Sequence, residues 1–287
     1  MPLPVLRAQA DPGLPDRLLT IDPAAVTTYL VKFLQDEITR RRGMSQVVLG
    51  LSGGVDSAVV AVLAARAFGP ENVTAFMMPY KVSASTSLEH AQLVVDQLGI
   101  HAQTIAITPM VDGYLNALAE PSSAQRIGNI CSRCRTVILF DQSMRVGGVP
   151  LGTGNKTERF FGYFTWHGDD APPFNPLGDL FKVQVWQLAE YLQVPDVIAH
   201  KPPSADLIAG QTDEGDLGID YPTADRILVM VLRGYHDDAI AAYGFTPQQI
   251  ALVRRKVAGT HWKRKGPTVA MLSETAINEY YLRPVDY

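Results

Sequence analysis

Val47-Val48-Leu49-Gly50-Leu51-Ser52-Gly53-Gly54-Val55-Asp56-Ser57 is a short apolar run that breaks into a serine-flanked pair of glycines and then into a helical pattern. The run is rich in β-branched residues and bounded by glycine, which predicts a buried strand of the parallel-sheet type. Residues 56–68 carry apolar side chains at helical spacing. Glycines between strand and helix let backbone N–H groups approach an anion with no Cβ in the way, and the helix N-terminus adds partial positive charge. Ser52 and Ser57 offer hydroxyl donors, and Asp56 offers a hard oxygen for a divalent cation. Ser52, Gly53, Gly54, Val55, Asp56 and Ser57 therefore read as a cradle for pyrophosphate. It is not the lysine-bearing phosphate loop, because the chain contains no Gly-Lys dipeptide.

Working outward, Asp22-Pro23 is a helix start, a capping carboxylate followed by proline at the first helical position. Val26, Leu30, Phe33, Leu34 and Ile38 follow at helical spacing, and Gly43 fits the stop. Downstream the pattern predicts strands at 73–78, 103–107 and 149–152. Helices are expected at 87–98, from Thr108-Pro109 onward, and at 127–144. Strands alternating with helices imply βαβ units and a doubly wound parallel sheet, α/β in class, with ligands beyond the carboxyl ends of its strands. After Pro172 the pattern turns to helices at 182–192, 223–235 and 247–262, with a polar, Gly/Asp/Pro-rich stretch at 201–221 that reads as a mobile loop. The expected organisation is one domain over 1–287: a nucleotide-binding core at 22–170 and a helical extension at 171–287 that contains the mobile loop 204–218. There is no internal repeat and no low-complexity segment.

With 47% apolar and 19% charged residues among 287, a sizeable core can be buried and long disorder is excluded. The net charge of −4 disfavours a nucleic-acid partner. Of the basic clusters, Arg40-Arg41-Arg42 suits the end of a helix, and Lys263-Arg264-Lys265 suits the phosphates of a small nucleotide better than a duplex. No apolar run reaches the roughly 18 residues of a membrane span. Met1-Pro2-Leu3-Pro4 lacks the basic start of a secretory signal, which points to the cytoplasm. Cys131 and Cys134 lack a second ligand pair and read as reduced helix cysteines.

A second motif, Gly152-Thr153-Gly154-Asn155-Lys156-Thr157-Glu158, leaves the strand at 149–152. Its GxG invites a dinucleotide-cofactor reading, but Thr157 stands where the third glycine belongs. Asp56 and Glu158 fall at two strand ends and make a plausible magnesium pair, with phosphate oxygens and waters as the remaining ligands. No strand–turn–helix serine elbow is present, so a protein nucleophile is not expected.

Ser-Gly-Gly-Val-Asp-Ser resembles the loop of the ATP pyrophosphatase (PP-loop) group, which cleaves ATP between its α and β phosphates. The 152–158 stretch resembles the Gly-Thr-x-Asn-Lys-(Ser/Thr)-Glu motif of NAD synthetases. Pro203-Ser204-Ala205-Asp206-Leu207 with Gln211-Thr212-Asp213-Glu214, Gly128-Asn129 with Arg133 and Arg135, and 161–169 with Lys182 resemble further segments of that family in the same order. The resemblance implies an adenine-nucleotide alpha-hydrolase-like fold. It implies that ATP meets the cradle, Arg135, Thr153, Lys182 and Ser204, and that magnesium meets Asp56 and Glu158. Deamido-NAD (nicotinic acid adenine dinucleotide) would meet Asn129, Arg133, Tyr163, Trp166, Asp169, His261 and Lys263. Asp56, Glu158, Lys182 and Asp169 would carry the catalysis. Three positions depart from the pattern. Trp166 and Pro173 stand where many bacterial members carry Lys and Asp, and His261-Trp262-Lys263-Arg264 has one residue more than the usual His-Lys-Arg.

The activity so implied is ATP-dependent amidation of deamido-NAD to NAD through an adenylate, in a homodimer. Free ammonia is the expected donor, since only about twenty residues precede the first helix where glutamine-using members carry an amidase domain. Other readings are another PP-loop ligase, such as a GMP synthetase or tRNA-thiolating enzyme, and a nucleotide-binding regulator without catalysis.

Overall fold

The computed structural model describes residues 11, 13–118, 120–204, 212–266, 269, 270 and 272. Helices α1 (Leu14–Leu19) and α2 (Pro23–Leu34) come first, and the Asp22 carboxylate caps α2 by accepting from the N–H groups of Ala24 and Ala25. A π-helical turn, Gln35–Arg40, carries the arginine cluster to its end, where Arg40, Arg41 and Arg42 pair with Asp36 and Glu37. The sheet section then runs β1 (Gln46–Gly50), α3 (Val55–Phe68), β2 (Val73–Met77), α4 (Ser85–Leu98), β3 (His101–Thr104), α5 (Thr108–Asn116), α6 (Ala124–Val146) and β4 (Gly148–Leu151). After it come α7 (Lys156–Phe161), α8 (Lys182–Tyr191), α9 (Asp196–Ala199), α10 (Asp213–Leu217), α11 (Tyr221–Leu232), α12 (Asp237–Ala241) and α13 (Pro247–Gly259), closed by a 3₁₀ turn at His261–Arg264.

The four strands are parallel in the order β3-β2-β1-β4, with Val48 opposite both Thr74 and Pro150. Pro150 cannot donate a backbone hydrogen bond, which suits β4 at the edge of this sheet. Period-two alternation sends Val47, Leu49, Val73 and Ala75 to a core built with α2, α3, α4 and α8. Val48, Phe76 and Met78 go to the opposite face, under α5 and α6. Over β1, β2 and β4 both faces are covered, as the continuous apolar runs demand.

Two expectations are corrected. The third strand is His101–Thr104, all of it exposed, and not 103–107. The apolar Ile105 and Ile107 that suggested the later register leave the ladder toward α5, their N–H groups donating to the carbonyls of Met77 and Pro79. The stretch 201–221, read as one mobile loop, contains α10, with Asp213 and Leu217 buried. Residues 205–211, within the loop expected at 204–218, lie outside the described residues.

Chain order explains where a ligand sits. From β1 the chain winds outward through β2 to β3, then returns to place β4 on the other side of β1. The carboxyl ends of β1 and β4 thus flank the point where the winding reverses, the crevice that open α/β sheets offer to ligands. The two motifs read from the sequence leave the sheet at those two ends. A further apolar cluster, with Phe161, Tyr221, Leu228, Met230 and Val253, joins α7, α11 and α13 beside the crevice. No helix among the described residues is long and apolar enough to cross a membrane.

Candidate active site

The turn after β1 is held by its own serines. Ser57 is buried; its Oγ donates to the Gly54 carbonyl (3.0 Å) and lies 3.1 Å from the Ser52 Oγ, while the Ser52 N–H donates to it at 3.2 Å. Ser57 is therefore an internal brace, and Ser52 is the serine on the cavity wall. Gly53 has φ of +75°, and a Cβ there would stand 2.1 Å from the Ser87 carbonyl oxygen in α4, so only glycine fits. Gly54 then starts α3 with no side-chain cap, leaving first-turn N–H groups for an anion.

The turn after β4 aims the acids. Asn155, fully buried, accepts from the Glu158 N–H (3.0 Å), and the Glu158 carboxylate accepts from the Asn155 N–H (3.1 Å), a capping box on α7. The Asn155 side-chain amide also donates to Asp56 Oδ1 at 3.0 Å, so one residue holds both carboxylates, Asp56 through its side chain and Glu158 through its backbone N–H. Lys182, the first residue of α8, pairs its Nζ with Asp56 Oδ2 and stands 3.7 Å from Glu158 Oε1. A lysine at a helix start opposes the dipole, and the two carboxylates offset this cost. Thr157 fixes that helix start: its Oγ accepts from the Lys182 N–H (3.0 Å) and donates to Asp225 (2.6 Å), which also accepts from the Val183 N–H (3.0 Å).

Burial alone would lower the lysine's proton affinity, but Asp56 and Glu158 outweigh it and hold Lys182 above its ordinary value. Glu158 is raised, by burial first and the Asp56 charge next. Asp213 is raised by burial despite the hydroxyls of Tyr163 (3.1 Å) and Tyr221 (3.2 Å) that donate to it. Burial pushes Asp225 up to about 6. The carboxylates of Asp56, Glu158 and Asp213 all act on the one lysine.

Across the cavity, residues 162–169 are stapled to α6 and to the 3₁₀ turn. Thr165 donates from its hydroxyl to Asn129 (2.8 Å) and from its backbone to Asp169 (2.9 Å), and Ser132 Oγ donates to Asp169 at 2.8 Å. Gly168 is tight against this joint, since a Cβ there would sit 2.5 Å from Ser132 Oγ. Asp169 stands open to the cavity, yet the protein crowded around it raises its affinity for a proton. Arg133 donates to the Trp166 carbonyl (3.0 Å) and Arg135 to the Met78 carbonyl (3.0 Å), so the two arginines reach different walls, as their angular spacing on the helix predicts. Lys263 Nζ donates to the carbonyls of Gly162 and Phe164.

One cavity of about 1000 Å³ collects most of the expected residues: Ser52, Gly54, Val55, Asp56, Asn129, Arg133, Arg135, Thr153, Glu158, Tyr163, Trp166, Asp169, Lys182, Ser204 and Lys263 line it. Gly53 and Ser57 stand behind the wall. His261 does not line it either; its ring meets the Ala258 carbonyl at 2.8 Å, and Trp262, the added residue, faces the cavity instead. Sequence reasoning missed Asn155, Asp213 and Trp262 as parts of the site. The signal for Asn155 was present, as a buried Asn three residues before an acid is a capping box.

A parallel sheet whose reversal point carries a lysine-free glycine cradle and a half-buried acid pair defines a nucleotide-binding α/β protein of the PP-loop adenine-nucleotide alpha-hydrolase fold. Residues 26–267 match the family model described as NAD synthase. The NH(3)-dependent NAD(+) synthetase of Chlorobaculum parvum is 48% identical over 256 residues, covering 89% of this chain and 92% of the relative. That of Fusobacterium nucleatum is 42% identical, covering 88% and 98%. Among solved structures, an NMN synthetase from Francisella tularensis matches with a TM-score of 0.78 at 31% identity, covering 88% of this chain and 99% of its own. An NH3-dependent NAD synthetase from Campylobacter jejuni matches at 0.74 and 29%, covering 88% and 100%. The chain belongs to the NAD synthase family.

Proposed function

We propose that this protein is an ammonia-dependent NAD synthetase: it uses ATP to convert the nicotinate carboxylate of deamido-NAD into an amide, releasing AMP and pyrophosphate. The observation that carries the reading is the meeting of Asp56 and Glu158 around Lys182, at the mouth of the glycine cradle and in the same cavity as Asp169. The carboxylate oxygen attacks the α-phosphorus and pyrophosphate leaves. The nitrogen of ammonia then attacks the acyl carbon, and AMP leaves. The cradle's N–H groups, Ser52 and Lys182 hold the departing phosphates. Asp169, with its raised proton affinity and open face, accepts the proton that the incoming nitrogen must lose. Positioning and charge neutralisation supply the catalysis, with no protein nucleophile.

The acid pair suits magnesium, a hard cation that takes one or two carboxylates and completes its shell with phosphate oxygens and water. Bound there, it would neutralise developing phosphate charge. The outward face of α6 carries Val137 (59% exposed), Phe140 and Met144 (84% exposed), and α5 exposes Met110 and Tyr114. A second copy of the chain is the cover we infer for this apolar face. The working compartment is the cytoplasm, where ATP and ammonia are at hand.

The test is AMP release from ATP with ammonium and three acceptors in parallel: deamido-NAD, xanthosine monophosphate and tRNA. AMP and NAD in equal amounts, with deamido-NAD alone active, is the expected result. AMP release with either of the others would move the protein to another ligase class, and none with any would make it a regulator.

A further inference from the structure

The sheet resembles a solved NMN synthetase and a solved NAD synthetase about equally, so the wall that meets the acceptor must be read for itself. On that wall two departures from the family pattern touch. The rings of Trp166 and Trp262 lie 5.2 Å apart at 88°, both line the cavity, and Trp262 is 51% exposed. The pair is held in place from behind. His167 packs on Trp166 with ring centroids 4.3 Å apart and takes a φ of +56°, Arg133 grips the Trp166 carbonyl, and Lys263 ties the segment to the 3₁₀ turn that carries Trp262. The cations that line the cavity beside the rings, Arg133 and Lys263, direct donors to backbone carbonyls. Two perpendicular rings make an L-shaped recess that takes a third flat ring against one face and along one edge.

We propose that Trp166 and Trp262 form a stacking corner for a heteroaromatic ring of the acceptor nucleotide, so that this chain grips deamido-NAD by ring contact. This rests on the acceptor reading of the wall given above. The ring is the pyridine or the adenine of the dinucleotide, and nicotinate mononucleotide, which keeps only the pyridine, separates the two. Stacking of one base on an aromatic side chain corresponds to roughly a 5- to 100-fold change in binding.

Trp262→Ala and Trp166→Ala are expected to raise KM for deamido-NAD within that range and to leave KM for ATP within twofold of wild type. Trp262→Phe and Trp166→Phe, which keep a flat ring, are expected to recover most of the loss. KM for nicotinate mononucleotide rising by the same factor assigns the corner to pyridine; an unchanged value assigns it to adenine. Either result supports stacking. The third tryptophan, Trp186, packs edge-on against Tyr221 outside the cavity wall. Titrating deamido-NAD without ATP should therefore quench wild-type tryptophan fluorescence and leave that of the double Phe variant nearly unchanged. Alanine variants within twofold of wild type for deamido-NAD would overturn the proposal. So would Phe variants as impaired as Ala, an equal rise in KM for ATP, or quenching that survives in the double variant. A wild-type enzyme that makes no NAD from deamido-NAD would instead sink the functional reading, and the fluorescence titration tells the two failures apart.

Discussion

Asn155 does two things at once: it caps α7 and it holds Asp56. Substitutions can separate them. Asn155→Ser keeps a cap acceptor but is too short to reach Asp56, so stability should stay within about 1 kcal/mol of wild type, the usual value of a cap. AMP formation, in contrast, should fall at least about tenfold, since a misaimed carboxylate costs at least one factor of ten in a positioned site. Asn155→Ala should lose both; paired thermal melts and AMP assays check this, and a fully active Ser variant would show that Asp56 needs no such aim. Asp225 allows a pH test of the buttress under Lys182. It holds its proton more tightly in the fold, at about 6 against an ordinary 3.8. The stability this gives is complete below the lower value and is lost as pH rises through the upper one. Across that window wild type should lose on the order of 3 kcal/mol relative to Asp225→Asn, which has no proton to release. Urea unfolding of both proteins at several pH values reads the difference, and parallel curves would mean that Asp225 is not perturbed.

Legibility in the sequence was greatest where one element decides the outcome. The strand running into Ser52–Ser57, the helix that follows it and the start of α2 at Asp22 were read correctly because strand, turn and cap chemistry are local. It failed where distant elements decide. Nothing near Lys182 says that it will be buried against Asp56, which lies 126 positions earlier. Nothing in the acidic 201–221 stretch says that Tyr163 and Tyr221 will hold α10. Those hydroxyls are specific: Tyr163 donates to Asp216 at 2.8 Å and to Asp213 at 3.1 Å, and Tyr221 to Asp213 at 3.2 Å. Helix α10 is only five residues long and is not stable without tertiary help. Tyr163→Phe should therefore increase limited-proteolysis cleavage within 201–221 several-fold in the free enzyme, and ATP with deamido-NAD should restore part of the protection. Unchanged cleavage in the variant would show that other contacts hold the helix.

At the scale of the molecule, the apolar face of α5 and α6 is the outstanding surface. A glutamate at Val137 or Met144 costs the folded monomer little, since both side chains are exposed, but opposes burial against a second copy. Sedimentation at micromolar concentration should show a dimer for wild type and a monomer for Val137→Glu with Met144→Glu, with Tm measured on each. A fully active wild-type monomer would remove the inferred partner. The placement of Lys182 bears on the order in which the protein can assemble during synthesis. Asp56 and Glu158 emerge from the ribosome before Lys182, their counter-ion among the described residues, and the Asp225 that braces the lysine's helix emerges later still. Two carboxylates buried without a cation are a strongly unfavourable arrangement. The complete parallel sheet, with every strand and both motifs in hand, is therefore an unfinished binding protein until α8 and α11 have been translated and docked. A nascent chain halted after α7 should have the glycine cradle but bind no nucleotide.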